Sequence, residues 1–155
     1  MTTNRKLTLP EVLPHEGRML LLEELLEYDE QQVTAAVTVR PNTMFCDGIN
    51  GVPAWVGLEY MAQTACVYSG VEDASLGLKP GIALLLGTRR YRAEVPLFRI
   101  GTRLRIVAHL RMRDENDLVV FECTIYDGDT ALARADVKAI RPKDLASIVR
   151  GDRLA

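Results

Sequence analysis

The sequence lacks long apolar runs and any recognisable arrangement of cysteines. No stretch reaches the roughly 18 apolar residues of a membrane span. The opening segment, MTTNRKLTLPEVLP, has no apolar stretch long enough for a secretory signal. The three cysteines, Cys46, Cys66 and Cys123, match no metal-binding or redox spacing. We therefore expect a cytoplasmic protein with reduced thiols, no membrane span and no bound metal.

The chain also lacks repeats, low-complexity tracts and linkers. Its 155 residues, of which 48% are hydrophobic and 26% charged, have the size and composition of one globular domain. We therefore predict a single domain over residues 1–155, with a core over about residues 8–141 and a polar tail over residues 142–155.

Positive and negative charges nearly balance overall, but the positive ones are concentrated in one region. The formal net charge is −2, yet residues 89–113 contain eight arginines and a single acid, Glu94. A local basic surface on an acidic protein indicates a compact anionic partner rather than a long nucleic acid. The alternative is that these arginines are the solvated face of a strand, and composition alone does not decide between the two.

Hydrophobic spacing predicts an antiparallel sheet that is strongly bent, with one helix packed on it. The helix is expected over residues 53–69, with Pro53 at its start and Gly70 as its stop. Residues 19–28 suit a helix at least as well as a strand. An Asp-Gly-Asp turn at 127–129 marks a hairpin. Strands are predicted over residues 32–39, 82–95, 102–113, 118–127 and 130–140.

The predicted helix, PAWVGLEYMAQTACVYSG, is apolar on nearly every side, so we expect it to be buried. Glu59 and Gln63 break the pattern and, being four residues apart, share a face. A buried carboxylate is costly unless it is paired or neutralised, which makes Glu59 a candidate general acid or base. The alternative is that Glu59 pairs with a buried arginine or caps a backbone group for structure alone.

Glycines lie before and inside this helix, at Gly48, Gly51 and Gly57. They would allow a substrate to approach the backbone near the positive end of the helix dipole. Negative charge that develops on a carbonyl oxygen would be stabilised there. Gly51 and Gly57 are therefore candidate substrate-binding residues.

Four segments together resemble one enzyme family. LPHEGRMLLLEEL is similar to the LPHRYPFLLVD opening of the FabZ-type 3-hydroxyacyl-acyl carrier protein dehydratases, and GLEYMAQTA to their helix motif VLxxEAMAQ. YRAEVPLFRIGTRLRI resembles their FRRPVxPGDxL strand pair, and YDGDTALARADV their last hairpin. The resemblance covers about 125 residues in the same order. Its nearest subgroup is the ApeP-like dehydratases of aryl polyene clusters.

The resemblance implies a hot-dog fold, an α+β architecture in which a curled antiparallel sheet wraps around one central helix. It implies a dimer whose sheets join edge to edge, with acyl sites at the subunit interface. The assembly would be a homodimer or higher homo-oligomer, or a heterodimer with another hot-dog subunit. The resemblance also implies that residues 19–28 are largely strand.

One departure from the family affects the site. The family pattern GHFPGxP, which contains the catalytic histidine, is replaced by DGINGVP, with Gly48 at the histidine position. The family's carboxylate position matches Glu59. Of the two histidines in the chain, His109 is expected on the surface, on the arginine-rich face of its strand. His15 is the candidate replacement catalyst, and the alternative is that it only packs or caps the N-terminal segment.

The favoured function is dehydration of a 3-hydroxyacyl chain held on acyl carrier protein, as in fatty acid or polyene biosynthesis. His15 and Glu59 would divide the acid and base roles, while Gln63 would hold Glu59 and line the substrate site. A backbone N–H near Gly57 would polarise the thioester. We expect no cofactor beyond the phosphopantetheine that carries the substrate, and docking of the carrier protein at Arg89 and Arg90.

Two alternatives remain open from the sequence. In a hot-dog thioesterase, Glu59 would activate water and no histidine would be needed. In a non-catalytic subunit, the chain would stabilise or position an active hot-dog partner, which is consistent with the missing loop histidine.

Overall fold

The computed structural model describes residues 6–141, so the predicted tail over residues 142–155 lies outside the described residues. Two helices and eight strands follow one another along this part of the chain. They are α1 (Leu9–Val12), β1 (Glu24–Tyr28), β2 (Gln32–Thr38), β3 (Gly51–Pro53), α2 (Gly57–Ser75), β4 (Leu84–Ala93), β5 (Leu97–Arg99), β6 (Arg103–Arg113), β7 (Leu118–Asp127) and β8 (Thr130–Ile140).

Six strands form one antiparallel sheet in the order β1-β2-β6-β7-β8-β4. The sheet packs against α2, so the α+β hot-dog fold expected from the sequence is confirmed. All the predicted strands are present. The turn predicted at 127–129 joins β7 to β8, with Asp127 paired to Thr130 across it. A small second sheet, in which β3 pairs with β5, was not predicted.

The core consists of alternate residues from the central strands. On β6, Leu104, Ile106 and Ala108 are fully buried and alternate with residues that are more exposed. Further along the same strand Met112 is 46% exposed. The register of β6 against β7 shifts between Leu110 and Met112, and this bulge ends the regular inward alternation.

Small residues on β8 bring the sheet close to α2. Ala133, Ala135 and Val137 are buried, and Ala131 and Ala139 on the same face are half-buried. Register also shifts twice between β4 and β8, and such irregularities bend a strand locally. From Gly57 to Ala74 every residue of α2 is buried or half-buried, as predicted for a central helix.

The predicted ends of the central helix were wrong at both termini. Residues 54–56 form a 3-10 turn, and α2 begins at Gly57 rather than at Pro53. Gly70 does not stop α2, which continues to Ser75. The stop is Gly77, whose φ of +72° is left-handed. The N–H of Gly77 donates to Ala74, and the next N–H donates to Asp73, which is a Schellman ending.

Gly70 is required for contact between the two helices. A Cβ atom there would lie 1.7 Å from the carbonyl oxygen of Val12, at the end of α1. Glycine therefore allows the backbone of α1 to lie directly on α2.

Residues 19–28 do not form the helix that their spacing suits. Residues 17–19 are a single 3-10 turn, residues 20–23 are irregular, and residues 24–28 form β1 on the edge of the sheet. The family resemblance implied that residues 19–28 are largely strand, and this is confirmed for residues 24–28. Leu22 and Leu25 are buried by this route, which shows that tertiary packing outweighed local spacing.

We expect Gly70→Ala to destabilise the protein. Overpacking against backbone costs about 1–3 kcal/mol, which exceeds the roughly 1 kcal/mol that alanine gains over glycine in a helix interior. Because the added Cβ would lie 1.7 Å from a backbone oxygen, we expect the upper end of this cost and a net loss in free energy of unfolding of about 2 kcal/mol in urea denaturation. The control is Gly87→Ala on β4, where an added Cβ meets nothing within 4 Å. A gain in stability from Gly70→Ala would contradict the close contact.

Candidate active site

The centre of the site is a hydrogen-bonded pair on α2. The side chains of Glu59 and Gln63 lie one turn apart, and Nε2 of Gln63 donates to Oε1 of Glu59 over 2.9 Å. The second N–H of the same amide donates to the carbonyl oxygen of Met19 over 2.8 Å. Oε1 of Gln63 accepts from the N–H of Leu21 over 3.0 Å.

These contacts make Gln63 a positioning residue. It is only 1% exposed, and both of its amide N–H groups already have acceptors within the chain. The expected contact with Glu59 is therefore present, whereas no N–H of Gln63 is left to bind a substrate. Glu59 itself is half-buried, and its hydrogen-bond partner is Gln63 rather than a buried arginine.

A cavity of about 130 Å³ lies between α2 and the sheet, and both predicted catalytic residues line it. Glu59 and Gln63 contribute from the helix, and His15 contributes from the segment that follows α1. No hydrogen bond joins His15 to Glu59 among residues 6–141. The walls are apolar and mostly small, with Ala62, Ala65, Ala83, Val119, Phe121, Val137 and Ala139 among them.

The N-terminal segment determines where His15 lies. Its backbone touches α2 at two levels, through Val12 at Gly70 and through Met19 at Gln63. The segment therefore runs antiparallel to the helix, and His15 lies between the two contacts. Nδ1 of His15 is shielded from solvent and has no hydrogen-bond partner within the described chain. A ring nitrogen in this state is available to exchange a proton with a bound molecule.

Ion pairs lie at the end of the cavity that is nearest to the C-terminus of α2. Arg113 bonds to Glu72 and Asp117, and these carboxylates raise the pKa of its guanidinium. Arg141 pairs with Asp73, which is only 2% exposed. The sequence interpretation missed this cluster, because it ended the helix before residues 72 and 73. The adjacent acidic residues Glu72 and Asp73, close to the observed end of the helix, could have indicated these ion pairs from the sequence.

Cys66 lines the cavity but is not a nucleophile. Burial raises the pKa of its thiol to about 11. The thiol is therefore protonated at neutral pH, and a protonated thiol is a poor nucleophile.

The two glycines predicted to bind substrate instead pack against the protein. A Cβ at Gly51 would lie 2.0 Å from the carbonyl oxygen of Phe98, across the β3–β5 pair. A Cβ at Gly57 would lie 2.5 Å from the hydroxyl of Tyr91. The N–H of Gly57 donates to the carbonyl of Ala54, which leaves it unavailable to polarise a thioester. Neither glycine lines the cavity.

The loop that replaces the family's histidine motif is organised by Asp47. Oδ1 of Asp47 accepts the backbone N–H groups of Asn50, Ile49 and Gly51 over 2.6, 2.8 and 3.1 Å. These bonds, that of Asn50 first, lower the pKa of Asp47 to about 2. Gly48 has a left-handed φ of +80°. The loop is thus a carboxylate-bound turn, and Asp47 remains ionised at neutral pH.

The remaining predicted residues lie outside the cavity. Arg89 and Arg90 are exposed on β4, where Arg90 has a φ of +57° within an irregular stretch. No carboxylate in residues 6–141 forms an ion pair with either arginine. His109 lies on β6 opposite Gln32 and Glu122, is half-buried and does not line the cavity.

A curled sheet around one helix, with a carboxylate held on that helix beside a largely apolar cavity, is typical of the hot-dog class of proteins. The family model described as ApeP dehydratase matches residues 7–150. The chain belongs to the ApeP-like dehydratase family.

Solved structures place the chain in the same fold. A chain of the dehydratase heterocomplex ApeI:P from Xenorhabdus doucetiae is 29% identical with a TM-score of 0.85, and the match covers 96% of this chain and 100% of that one. An HP0420 homologue from Helicobacter felis is 14% identical, with a TM-score of 0.63 and coverages of 86% and 98%. A thioesterase from Staphylococcus aureus is 12% identical, with a TM-score of 0.58 and coverages of 77% and 93%. The last two matches show the fold alone.

The curated proteins contain no match to this chain. None of the helices in the described part of the chain is long and apolar enough to cross a bilayer. Over residues 6–141 no group of three or more His, Cys, Asp or Glu side chains is arranged to hold a metal ion.

We expect Gln63→Leu to lower the free energy of unfolding by about 1–3 kcal/mol, because Leu21 N–H and Met19 C=O would lose their buried partner. Urea denaturation measures this loss. Gln31→Leu provides a matched control, because Gln31 is exposed, and its effect should stay within about 0.5 kcal/mol. Similar free energies of unfolding for the two variants would argue against the idea that Gln63 holds the N-terminal segment against α2.

Proposed function

We propose that this chain acts in the dehydration of 3-hydroxyacyl thioesters carried on phosphopantetheine, with Glu59 and His15 as its acid–base pair. The supporting observation is that both side chains line one cavity beside the helix. One group removes the C2 proton, and the other protonates the 3-hydroxyl as its C–O bond breaks. A C2=C3 double bond forms and water leaves, so the reaction requires no further cofactor.

The surroundings suit these roles. Gln63 fixes the Glu59 carboxylate, and His15 lines the same cavity without a hydrogen bond to Glu59 within residues 6–141. Apolar walls exclude water, which strengthens electrostatic interactions with the thioester. Membership of a dehydratase family supports the same reaction.

A second hot-dog subunit is part of this proposal. Strand β4 ends the sheet, and apolar side chains near its start, Ile82, Leu85 and Leu86, are 46–49% exposed. Long apolar edges are normally paired or covered. The Xenorhabdus relative comes from a heterocomplex, which supports a different hot-dog chain as the partner here, with a second copy of this chain as the alternative.

The absent loop histidine favours one competing function. With Gly48 at that position, the chain would be a structural subunit that supports an active partner. Activity of the chain alone, compared with activity after co-purification with its hot-dog partner, separates the two functions.

We expect Glu59→Gln and His15→Ala each to reduce water elimination from a 3-hydroxyacyl thioester by about 100- to 10,000-fold. The rate is followed by absorbance of the enoyl product, with the chain alone and with its partner. Exposed Glu27 and half-buried His109 provide the matched controls Glu27→Gln and His109→Ala, which should keep the parent rate.

Three outcomes would change the assignment. Loss of activity in Glu59→Gln only, with free acid as the product, would indicate a thioesterase. Full activity of both variants in the complex would indicate a structural subunit. An active Glu59→Gln variant of the chain alone would remove Glu59 from the mechanism.

We also propose that Arg89 and Arg90 dock the acidic carrier protein. Replacing both with glutamine should raise KM for carrier-protein substrates about tenfold and spare pantetheine thioesters, which have no acidic body. Arg99→Glu makes the same net charge change at another exposed arginine, on β5, and should leave both KM values near those of the parent. Equal losses on the two substrates would indicate a folding defect rather than docking.

A further inference from the structure

A second pocket shares no lining residue with the cavity that contains Glu59 and His15. It has a volume of about 330 Å³ and lies between the chain that leads into β1, the loop over residues 40–44 that follows β2, and Tyr60 on α2. A ligand in this pocket would therefore bind at a site separate from the proposed acid–base pair.

The buried polar side chain that lines this pocket is Tyr60. It is only 1% exposed, and its hydroxyl has no hydrogen-bond partner within residues 6–141. Burial first, and then Cys46 and Glu23, raise the pKa of Tyr60 to about 12, so the hydroxyl is protonated at neutral pH and can donate. Glu23, whose charge acts on this hydroxyl, also lines the pocket.

A buried hydroxyl without a partner is costly to a fold. Phenylalanine would fill the same space as Tyr60 and pack against Phe98 in the same way without this cost. The fold alone therefore gives no reason for the hydroxyl. An acceptor oxygen on a molecule in the pocket would satisfy it.

The rest of the pocket combines apolar walls with a charged rim. Glu23 bonds to Arg40, so these two charges neutralise each other. Arg18 is exposed, and no carboxylate in residues 6–141 forms an ion pair with it. An arginine binds a carboxylate through two parallel hydrogen bonds. The rim thus suits one negative charge, and the walls suit an aliphatic chain, since they include Leu20, Leu22, Val37 and Met44.

We propose that this pocket binds a small aliphatic carboxylate that carries a hydroxyl or carbonyl oxygen on its chain. Arg18 binds the carboxylate at the rim, the carbon chain lies between the apolar walls, and the chain oxygen accepts a hydrogen bond from Tyr60. The site does not depend on the proposed dehydratase function, because neither Glu59 nor His15 takes part in it.

The test is isothermal titration calorimetry of the full chain with unbranched carboxylates of four to eight carbons, each with and without a terminal hydroxyl. At the length that spans the pocket, the hydroxy acid should bind about tenfold more tightly than the plain acid. Tyr60→Phe should remove this preference, and Arg18→Glu should weaken both acids about fivefold.

Two control variants lie outside the pocket. Tyr126→Phe removes a hydroxyl from a half-buried tyrosine on β7, and Arg134→Glu makes the same charge change at an exposed arginine on β8. Both should keep the parent affinities. Urea denaturation without ligand supplies a readout of structure, in which the midpoint of Tyr60→Phe should be no lower than that of the parent, because no bond within the chain is lost.

Three results would overturn the site. The first is no binding, or equal binding of the hydroxy and plain acids at every length. The second is a hydroxyl preference that survives Tyr60→Phe. The third is a lower urea midpoint for Tyr60→Phe in the absence of ligand, which would show that the hydroxyl already has a partner in the folded protein.

Discussion

The structure depends on one buried amide, the side chain of Gln63. It joins three pieces of backbone and side chain that are far apart in sequence: the carbonyl of Met19, the N–H of Leu21 and the carboxylate of Glu59. A single polar group that is 1% exposed must have its hydrogen bonds satisfied, and here each of them also fixes a part of the site. The irregular chain before β1 is thereby held against α2, and Glu59 is held toward the cavity.

A second contact defines the opposite end of the same segment. The absence of a side chain at Gly70 lets the carbonyl of Val12 rest on α2. Only a short length of chain lies between this contact and the hydrogen bonds of Gln63, and His15 is part of it. The position of the histidine therefore follows from two backbone contacts on the helix, neither of which involves the histidine itself.

The sequence predicted most of the fold but only part of the site. The strands could be predicted because burial of one face of a strand leaves a hydrophobic period of two residues in the sequence. The predicted ends of the helix were wrong because a glycine can either end a helix or allow another backbone to pack closely against it. The sequence does not distinguish these two roles. Gly70 allows the backbone of Val12 to pack against the helix, whereas Gly77 ends the helix. The contact with Val12, which only the structure shows, distinguishes the two glycines. At Gly51 and Gly57 the nearest atoms belong to Phe98 and Tyr91, so these glycines allow close packing, and their role in substrate binding stays a prediction.

Most of the ionisable side chains around the cavity are already bound to other groups of the protein. Few residues are therefore free to act as an acid or a base there. Arg113, Asp117 and Arg141 are engaged in ion pairs, and the hydroxyl of Tyr68 donates to the carbonyl of Glu30. Cys66 stays protonated. Asp47, in the loop that replaces the family's histidine, is held ionised by three backbone N–H groups and does not line the cavity. Among the described lining residues, His15 is thus the one titratable partner for Glu59 whose ring nitrogen is unoccupied. In the proposed dehydration, the partner of Glu59 in proton transfer is therefore either His15 or a group supplied by a second subunit.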